Sequence, residues 1–239
     1  MPFYENFSMK KPTSLGIKMA NREASNVLRK IIGYKPDIHS VLEIGPGRGP
    51  FAIASQAKGL DYFSTDISWV SLQNLPSVTR KVQSLVPPIP FADQSFDLTF
   101  ASNLLEHMVD FKHTLSLVQE MKRVTRPGGL VCHRVPNSMA WGLHFWNGDY
   151  THSFFTTPRT VSQVYQDTGL GIRVIYPVSA FVVGSLAVPL SFLAHFIPSW
   201  LFNHGGSRTA FSQSIYSAKT TLYLGFLIIG QREENVNGQ

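Results

Sequence analysis

Val41-Leu42-Glu43-Ile44-Gly45-Pro46-Gly47-Arg48-Gly49-Pro50 is the stretch whose reading decides the fold of this chain. Val41, Leu42 and Ile44 make an apolar run of the kind found in a strand buried on both faces. Glycine at every second position from 45 to 49 lets the backbone curl tightly and approach a ligand with no Cβ in the way. Pro50 fixes the φ of a first helical turn. Strand, glycine turn and helix in that order form the first unit of an alternating strand–helix architecture. A dinucleotide fingerprint beginning at Gly45 needs its third glycine at position 50, which is proline here, so the pattern is G-x-G-x-G instead. Asp66 follows at the expected end of the second strand, where a carboxylate can accept both hydroxyls of a ribose.

Outward from that bend the alternation continues. Upstream, Ala20, Ala24, Val27, Leu28 and Ile31 recur at three- and four-residue steps and predict an amphipathic helix over residues 20–32, stopped by Gly33. Downstream, strands are expected at 61–65, 81–85, 97–101, 130–135 and 171–176, with a long apolar strand at 221–230 closing the fold. Helices are expected at 50–58, 69–75, 111–124 and 158–168, and Pro127-Gly128-Gly129 reads as a turn. The expected fold is α/β, one domain over residues 1–239, with a Rossmann-like, mostly parallel sheet covered by helices on both faces.

Composition narrows the class. Of the 239 residues 44% are apolar and only 15% charged, below the roughly 25% of an ordinary soluble domain. The net charge is +6, and residues 1–35 carry most of it as a basic amino-terminal cap. Such a cap suits an anionic acceptor, a phospholipid surface or nucleic acid, or simply a solvated helix face. Cys132 is the single cysteine, so no internal disulfide forms. Residues 1–30 lack the apolar core of a signal peptide, and the expected location is cytoplasmic. No histidine or cysteine spacing suggests a metal ligand set, so no metal is expected.

Four stretches in order resemble the class I S-adenosylmethionine (SAM)-dependent methyltransferases, in particular the methyltransferase type 11 group. Val41–Gly49 is similar to the glycine motif and Asp66 to the ribose-binding acid. Ile89-Pro90-Phe91-Ala92-Asp93-Gln94-Ser95-Phe96-Asp97 resembles the lead into the fourth strand. Leu105-Glu106-His107 and Arg123-Val124-Thr125-Arg126-Pro127-Gly128-Gly129 resemble the next two landmarks. The resemblance implies a seven-stranded sheet and SAM as cofactor. It places Gly45, Gly47 and Gly49 along the methionine portion and Glu43 beneath it. Asp66 would bind the ribose, Ile67 would pack on the adenine, and Asn103 would end the fourth strand beside the sulfonium. One departure stands out: the acidic residue that often receives the adenine amino group is missing from Ser84-Leu85-Val86-Pro87-Pro88, leaving backbone groups or Gln83 for that task.

A hydroxyl or protonated amine acceptor must lose a proton, and histidine suits that near neutral pH. His107 and His152 are the candidates; a backbone-bonding helix-start residue is the structural alternative for His107. Gly148-Asp149-Tyr150-Thr151-His152 and the following Phe154-Phe155 resemble a segment of methyltransferases from polysaccharide and natural-product pathways. Trp141, Phe145, Trp146, Tyr150, Phe154 and Phe155 wall an apolar acceptor pocket or pack on the sheet, and Phe3, Tyr4 and Phe7 form a lid or a loose terminus. Residues 174–207 contain no Asp, Glu, Lys or Arg. An apolar insertion at 177–210, between the last two strands, cannot be a single span if those strands share a sheet. A hairpin broken at Pro189 leaves about 11 residues per arm, too short for a bilayer. Lid, membrane-interface contact and homodimer contact remain as its readings.

The expected function is SAM-dependent methylation, on oxygen, of a small apolar or lipid- or sugar-linked acceptor. The alternative is a non-catalytic SAM-binding or membrane-associated interaction protein. No nucleic-acid partner is expected: Ser102-Asn103-Leu104-Leu105 is not the motif used on exocyclic amines, and Cys132 lacks the preceding proline of cytosine C5 enzymes.

Overall fold

The computed structural model describes residues 13–77, 79–198 and 210–234. Thr13 caps helix α1 (Ser14–Tyr34) by accepting from the Gly16 amide at 3.1 Å. The helix starts six residues earlier than its apolar spacing predicts and passes through Gly33, because the local cap, and not the apolar stripe, sets where it begins. Ala24, Val27, Leu28 and Ile31 are buried as expected, whereas Ala20 is exposed.

Then come β1 (Ser40–Ile44), α2 (Pro50–Ala57), β2 (Asp61–Asp66), α3 (Trp69–Gln73), β3 (Arg80–Gln83) and β4 (Phe96–Ser102). A 3₁₀ turn over Leu105–His107 precedes α4 (Phe111–Val124), whose first turn Asp110 caps. Strand β5 (Thr125–Pro136) is followed by two short helices, α5 (Ser138–Trp141) and α6 (His144–Gly148), and by α7 (Pro158–Asp167). Thr157 and Thr160 form a reciprocal capping box at the start of α7. The chain ends with β6 (Leu170–Ser179), β7 (Val182–Val183), α8 (Ala187–Ser191), a 3₁₀ turn over Phe192–Phe196, α9 (Ala210–Leu222) and β8 (Gly225–Arg232).

The sheet has eight strands in the order β3-β2-β1-β4-β5-β8-β6-β7. The first five are mutually parallel, and β8 runs antiparallel between β5 and β6. The seven-stranded expectation is corrected by β7, a two-residue strand that folds back on Val178 and Ser179. Two further corrections concern ends. The strand expected from residue 221 starts at Gly225, because Thr221 and Leu222 complete α9. Arg126–Gly129 are not a turn outside the sheet: they bulge within β5, where the register with β4 jumps from Phe96–Thr125 to Leu98–Leu130.

Period-two alternation sends neighbouring strand residues to opposite layers. Val41, Leu98, Phe100, Leu130, Cys132, Leu227 and Ile229 pack with Val27, Leu28 and Ile31 of α1 and Phe51 of α2. Leu42, Ile44, Ala101, Val131, Phe226 and Ile228 pack on the other face with Leu117, Val118 and Met121 of α4 and Val161 and Tyr165 of α7. Helices therefore cover both faces, and the carboxyl ends of β1, β2 and β4 meet along one edge.

The basic cap and the apolar insertion meet this frame at specific points. Arg22 lies over the Phe181 ring at 4.4 Å and Lys30 over the Tyr176 ring at 5.0 Å, so two of the cap's cations rest on the β6–β7 hairpin. Pro177–Ser179, expected within the insertion, extend β6, with Pro177 and Val178 paired to β8 and Ser179 to β7. Beyond β7 the described part consists of short helices, with Pro189 inside α8, and Lys219 of α9 donates to the Ile197 carbonyl at 2.8 Å. Among the described residues no helix is long and apolar enough to cross a membrane. Phe3, Tyr4, Phe7, the first part of the cap and residues 199–209 lie outside the described residues.

Candidate active site

The bend after β1 is built as its glycines require. Gly45, Gly47 and Gly49 have φ of +68°, +53° and +77°, a region that residues with a Cβ rarely adopt. The Gly49 amide closes the turn on the Pro46 carbonyl at 2.9 Å, and the Gly49 carbonyl accepts from Ile53 in the first turn of α2. A Cβ on Gly49 would meet Leu75 Cδ2 at 2.6 Å, while one on Gly47 would meet nothing within 4 Å. The bend thus packs tightly on one side and opens on space at Gly47.

Asp66 lies directly across the bend. Ile44 pairs with Thr65, and the Gly45 amide donates to the Thr65 carbonyl at 2.9 Å. Burial pushes the Asp66 carboxyl above the usual carboxylate range, opposed by a hydrogen bond from the Ser68 amide at 2.8 Å. Ile67 beside it is 60% exposed, an unusual position for such a side chain at a strand end. Gln83 Nε2 donates to the Ile67 carbonyl at 2.8 Å, so the Gln83 amide is engaged with the loop after β2. Glu43 is buried under the bend, where it accepts from the Tyr62 hydroxyl; burial raises its carboxyl to about 8.

Asn103 follows β4 with φ +49°, its amide on the Arg134 carbonyl at 2.8 Å and its Oδ1 accepting from Arg134 at 2.5 Å. Arg134 also ion-pairs with Glu23 of α1 at 2.7 Å, tying the amino-terminal helix to this strand end. Leu104, next in the chain, is the neighbour that a Cβ on Gly45 would touch, at 3.5 Å. Asp93 and Asp97 lie at the opposite, amino-terminal edge. There Asp97 accepts from the His39 and Ser40 amides, and Arg126 and Arg123 pair with Asp97 and Asp93. These acids hold the fold together.

The 3₁₀ turn at the end of β4 carries Glu106 and His107, and the segment after α6 carries His152. The Ser153 and Phe154 amides both donate to the Glu106 carbonyl, at 2.8 and 3.1 Å, and pin the second segment onto the first. The two imidazoles come within 4.8 Å between ring centres. His152 Nδ1 meets the Phe145 carbonyl at 2.5 Å, which only an N–H can satisfy. Thr151 gives its hydroxyl proton to Asp149 at 2.6 Å and so accepts from His107 Nδ1 at 2.9 Å. Burial, reinforced by His152, pushes His107 down to about 4, and burial lowers His152 as well. Both rings are neutral at pH 7. Glu106 is 1% exposed, and burial raises its carboxyl to about 8.

Both histidines are candidates from their residue type alone, whereas Glu106 has no task in the sequence beyond marking a landmark. Its partners, His152, Ser153 and Phe154, lie far along the chain, and no spacing rule reports them. Around the cluster Phe145 packs on His152, with ring centres 4.4 Å apart, and Trp146 stacks on Phe155 at 5.7 Å. Trp146 and Tyr150 are exposed, whereas Phe145 is buried.

Residues 17–173 match the methyltransferase domain family. An uncharacterized methyltransferase of Mycobacterium sp. (strain KMS) is 37% identical over 98 residues, 40% of this chain. The match covers 38% of that relative, so it spans about two fifths of either protein. Among solved structures, the methyltransferase bound to the Haloferax volcanii Trm112 methyltransferase activator superposes with a TM-score of 0.65 at 16% identity, covering 97% of this chain and 98% of that one. Phosphoethanolamine N-methyltransferase 2 of Haemonchus contortus, solved with S-adenosyl-L-methionine, gives a TM-score of 0.61 at 13% identity, covering 87% of this chain and 52% of that one. With the family match spanning most of the sheet and the bend placed beside Asp66, the chain belongs to the class I SAM-dependent methyltransferase family.

Proposed function

We propose that this protein transfers the methyl group of SAM to a hydroxyl of a small, apolar or lipid- or sugar-linked acceptor. The observation that carries the reading is one edge of the sheet: the glycine bend lies across from Asp66 and touches Leu104, Glu106 and His107 follow Leu104 directly in the chain, and His152 is brought against them.

The bend fits the methionine end of SAM because its glycines leave open space at Gly47 where any other residue would project a side chain. Gly45, Gly47 and Gly49 would hold that end, with Glu43 beneath. Asp66 would take the ribose hydroxyls, and exposed Ile67 would cover one adenine face. With no acid in residues 84–88 and Gln83 turned to Ile67, adenine would rely on backbone groups. Asn103, held by Arg134, would border the sulfonium. Bound SAM supplies an electrophilic methyl carbon on a sulfonium.

The chain's task is then to align the acceptor oxygen and remove its proton. The neutral imidazoles of His107 and His152 offer the proton acceptors, with tautomers set by Thr151 and the Phe145 carbonyl. Trp146 and Tyr150 give an apolar acceptor an exposed surface beside them. Exposed Leu186, Phe192, Leu193 and Phe196 in the insertion favour an acceptor delivered from a lipid phase, with membrane-surface contact in a cytoplasmic protein as the proposed setting.

Calorimetric titration with SAM tests the reading. Wild type should bind, and Asp66→Ala should bind at least about tenfold more weakly, since two charge-assisted hydrogen bonds are lost. Transfer of labelled methyl from SAM to a panel of hydroxylated lipids then tests the acceptor class. A wild-type protein that gives no heat with SAM refutes the proposal.

A further inference from the structure

We infer that Glu106, His107 and His152 form a binding site for one divalent first-row transition-metal ion. The inference rests on the methyltransferase reading only in placing the ion where the acceptor hydroxyl is to lose its proton.

Each of the three residues offers a ligand atom, and the three atoms lie within 4.8 Å of one another. An ion about 2.1 Å from each ligand would draw tetrahedrally disposed atoms to about 3.4 Å from one another. The hydrogen bonds around the cluster favour that use. His152 gives its Nδ1 proton to the Phe145 carbonyl. His107 gives its own to Thr151, whose hydroxyl is already committed to Asp149. Both tautomers therefore place the lone pair on Nε2. A backbone carbonyl behind one imidazole and a carboxylate-linked hydroxyl behind the other are the outer-shell partners that orient metal-bound histidines.

Glu106 supplies the second, independent observation. Its side chain is 1% exposed, and Oε2 has no hydrogen-bond partner. A buried carboxyl oxygen left unpaired costs free energy unless something else satisfies it. A cation in the cluster would do so.

The donor set selects the metal. Two neutral imidazoles and one carboxylate suit Zn²⁺, Fe²⁺, Co²⁺ or Mn²⁺ better than Mg²⁺ or Ca²⁺, which take oxygen ligands. Three protein ligands leave positions open for an exogenous oxygen. With the ion bound, an acceptor hydroxyl would lose its proton to solvent more readily there, and the Nε2 lone pairs that accept that proton in the metal-free protein would serve as ligands instead.

The test uses the full chain after chelator treatment and dialysis. Co²⁺ is titrated while its visible d–d absorption is followed, Zn²⁺ is added in competition, and SAM binding is measured on each sample by calorimetry. Wild type should take up one Co²⁺ per chain, displaced by Zn²⁺. His152→Ala and Glu106→Gln should each weaken uptake by more than about tenfold with the SAM heat retained, and Thr151→Val, which removes only the outer tether of His107, by about tenfold. The SAM heat also reports that each variant is folded, and His152, being only half-buried, gives a usable variant if Glu106→Gln does not fold. A wild-type protein that binds SAM but takes up no stoichiometric Co²⁺ overturns the metal site and leaves the methyltransferase reading standing. Equal uptake by wild type and His152→Ala overturns it too. Co²⁺ uptake without SAM heat supports the metal site and counts against the methyltransferase reading.

Discussion

Replacing Gly49 by alanine separates the two jobs of the glycine bend. At φ +77° an L-residue costs about 1–2 kcal/mol. The new methyl would also stand 2.6 Å from Leu75 Cδ2. Leu75 is itself buried in the layer beneath α1 and α2, so it cannot swing out of the way. Overpacking of that kind adds about 1–3 kcal/mol. Together these give a loss of roughly 2–5 kcal/mol, or about 5–15 °C in Tm for a chain of this size. Gly47→Ala is the control. Its φ of +53° carries the same kind of backbone cost, but the methyl meets nothing within 4 Å. It should lose only about 1–2 kcal/mol of stability while impairing SAM binding, because its methyl enters the open side of the bend. Urea denaturation and SAM calorimetry on both variants read the two effects. If Gly49→Ala is no less stable than Gly47→Ala, Leu75 does not confine the turn. If Gly47→Ala binds SAM like wild type, the bend does not hold the ligand.

Two further predictions concern buried polar groups. Glu43 has its carboxyl raised by burial from 4.5 to about 8. Its stabilising contribution is full below pH 4.5 and is lost as pH rises to about 8, at up to about 1.4 kcal/mol per pH unit. Glu43→Gln keeps an acceptor for Tyr62 and should flatten the stability profile between pH 5 and 8, a window fixed by that shift; an unchanged slope in urea melts across that range counts against the assignment. On the opposite face Tyr165 donates to the Val131 carbonyl at 3.2 Å and so accepts from His133 Nδ1 at 2.6 Å. Tyr165→Phe leaves that buried N–H unanswered and should cost about 1–3 kcal/mol in denaturant unfolding; wild-type stability would show that the hydroxyl is not needed there.

The extent to which the chain announces its fold follows from the range of the signals. Phe111–Val124 is legible to the residue, because an apolar step of three or four residues acts within one turn of helix; the Asp110 cap that fixes its start is seen in the structure. The bend was equally legible, since three alternating glycines and Pro50 constrain their own backbone. Strand ends were less so. The helix over Thr221–Leu222 interrupts an apolar run that reads as strand, and whether such a run pairs or coils depends on what lies beside it. The two-residue strand Val182–Val183 exists through its pairing with Val178 and Ser179, which no composition reveals.

The sequence by itself determined the alternating α/β order, the glycine bend, and Asp66 placed one strand away from it, all set by local backbone preference and periodicity. The tertiary structure alone decided the company of Glu106: the Ser153 and Phe154 amides bring His152 to it, and Thr151 and Asp149 to His107. Those contacts join segments about 45 residues apart. Loop closure across such a distance depends on the whole sheet being in register, so no local pattern could encode it.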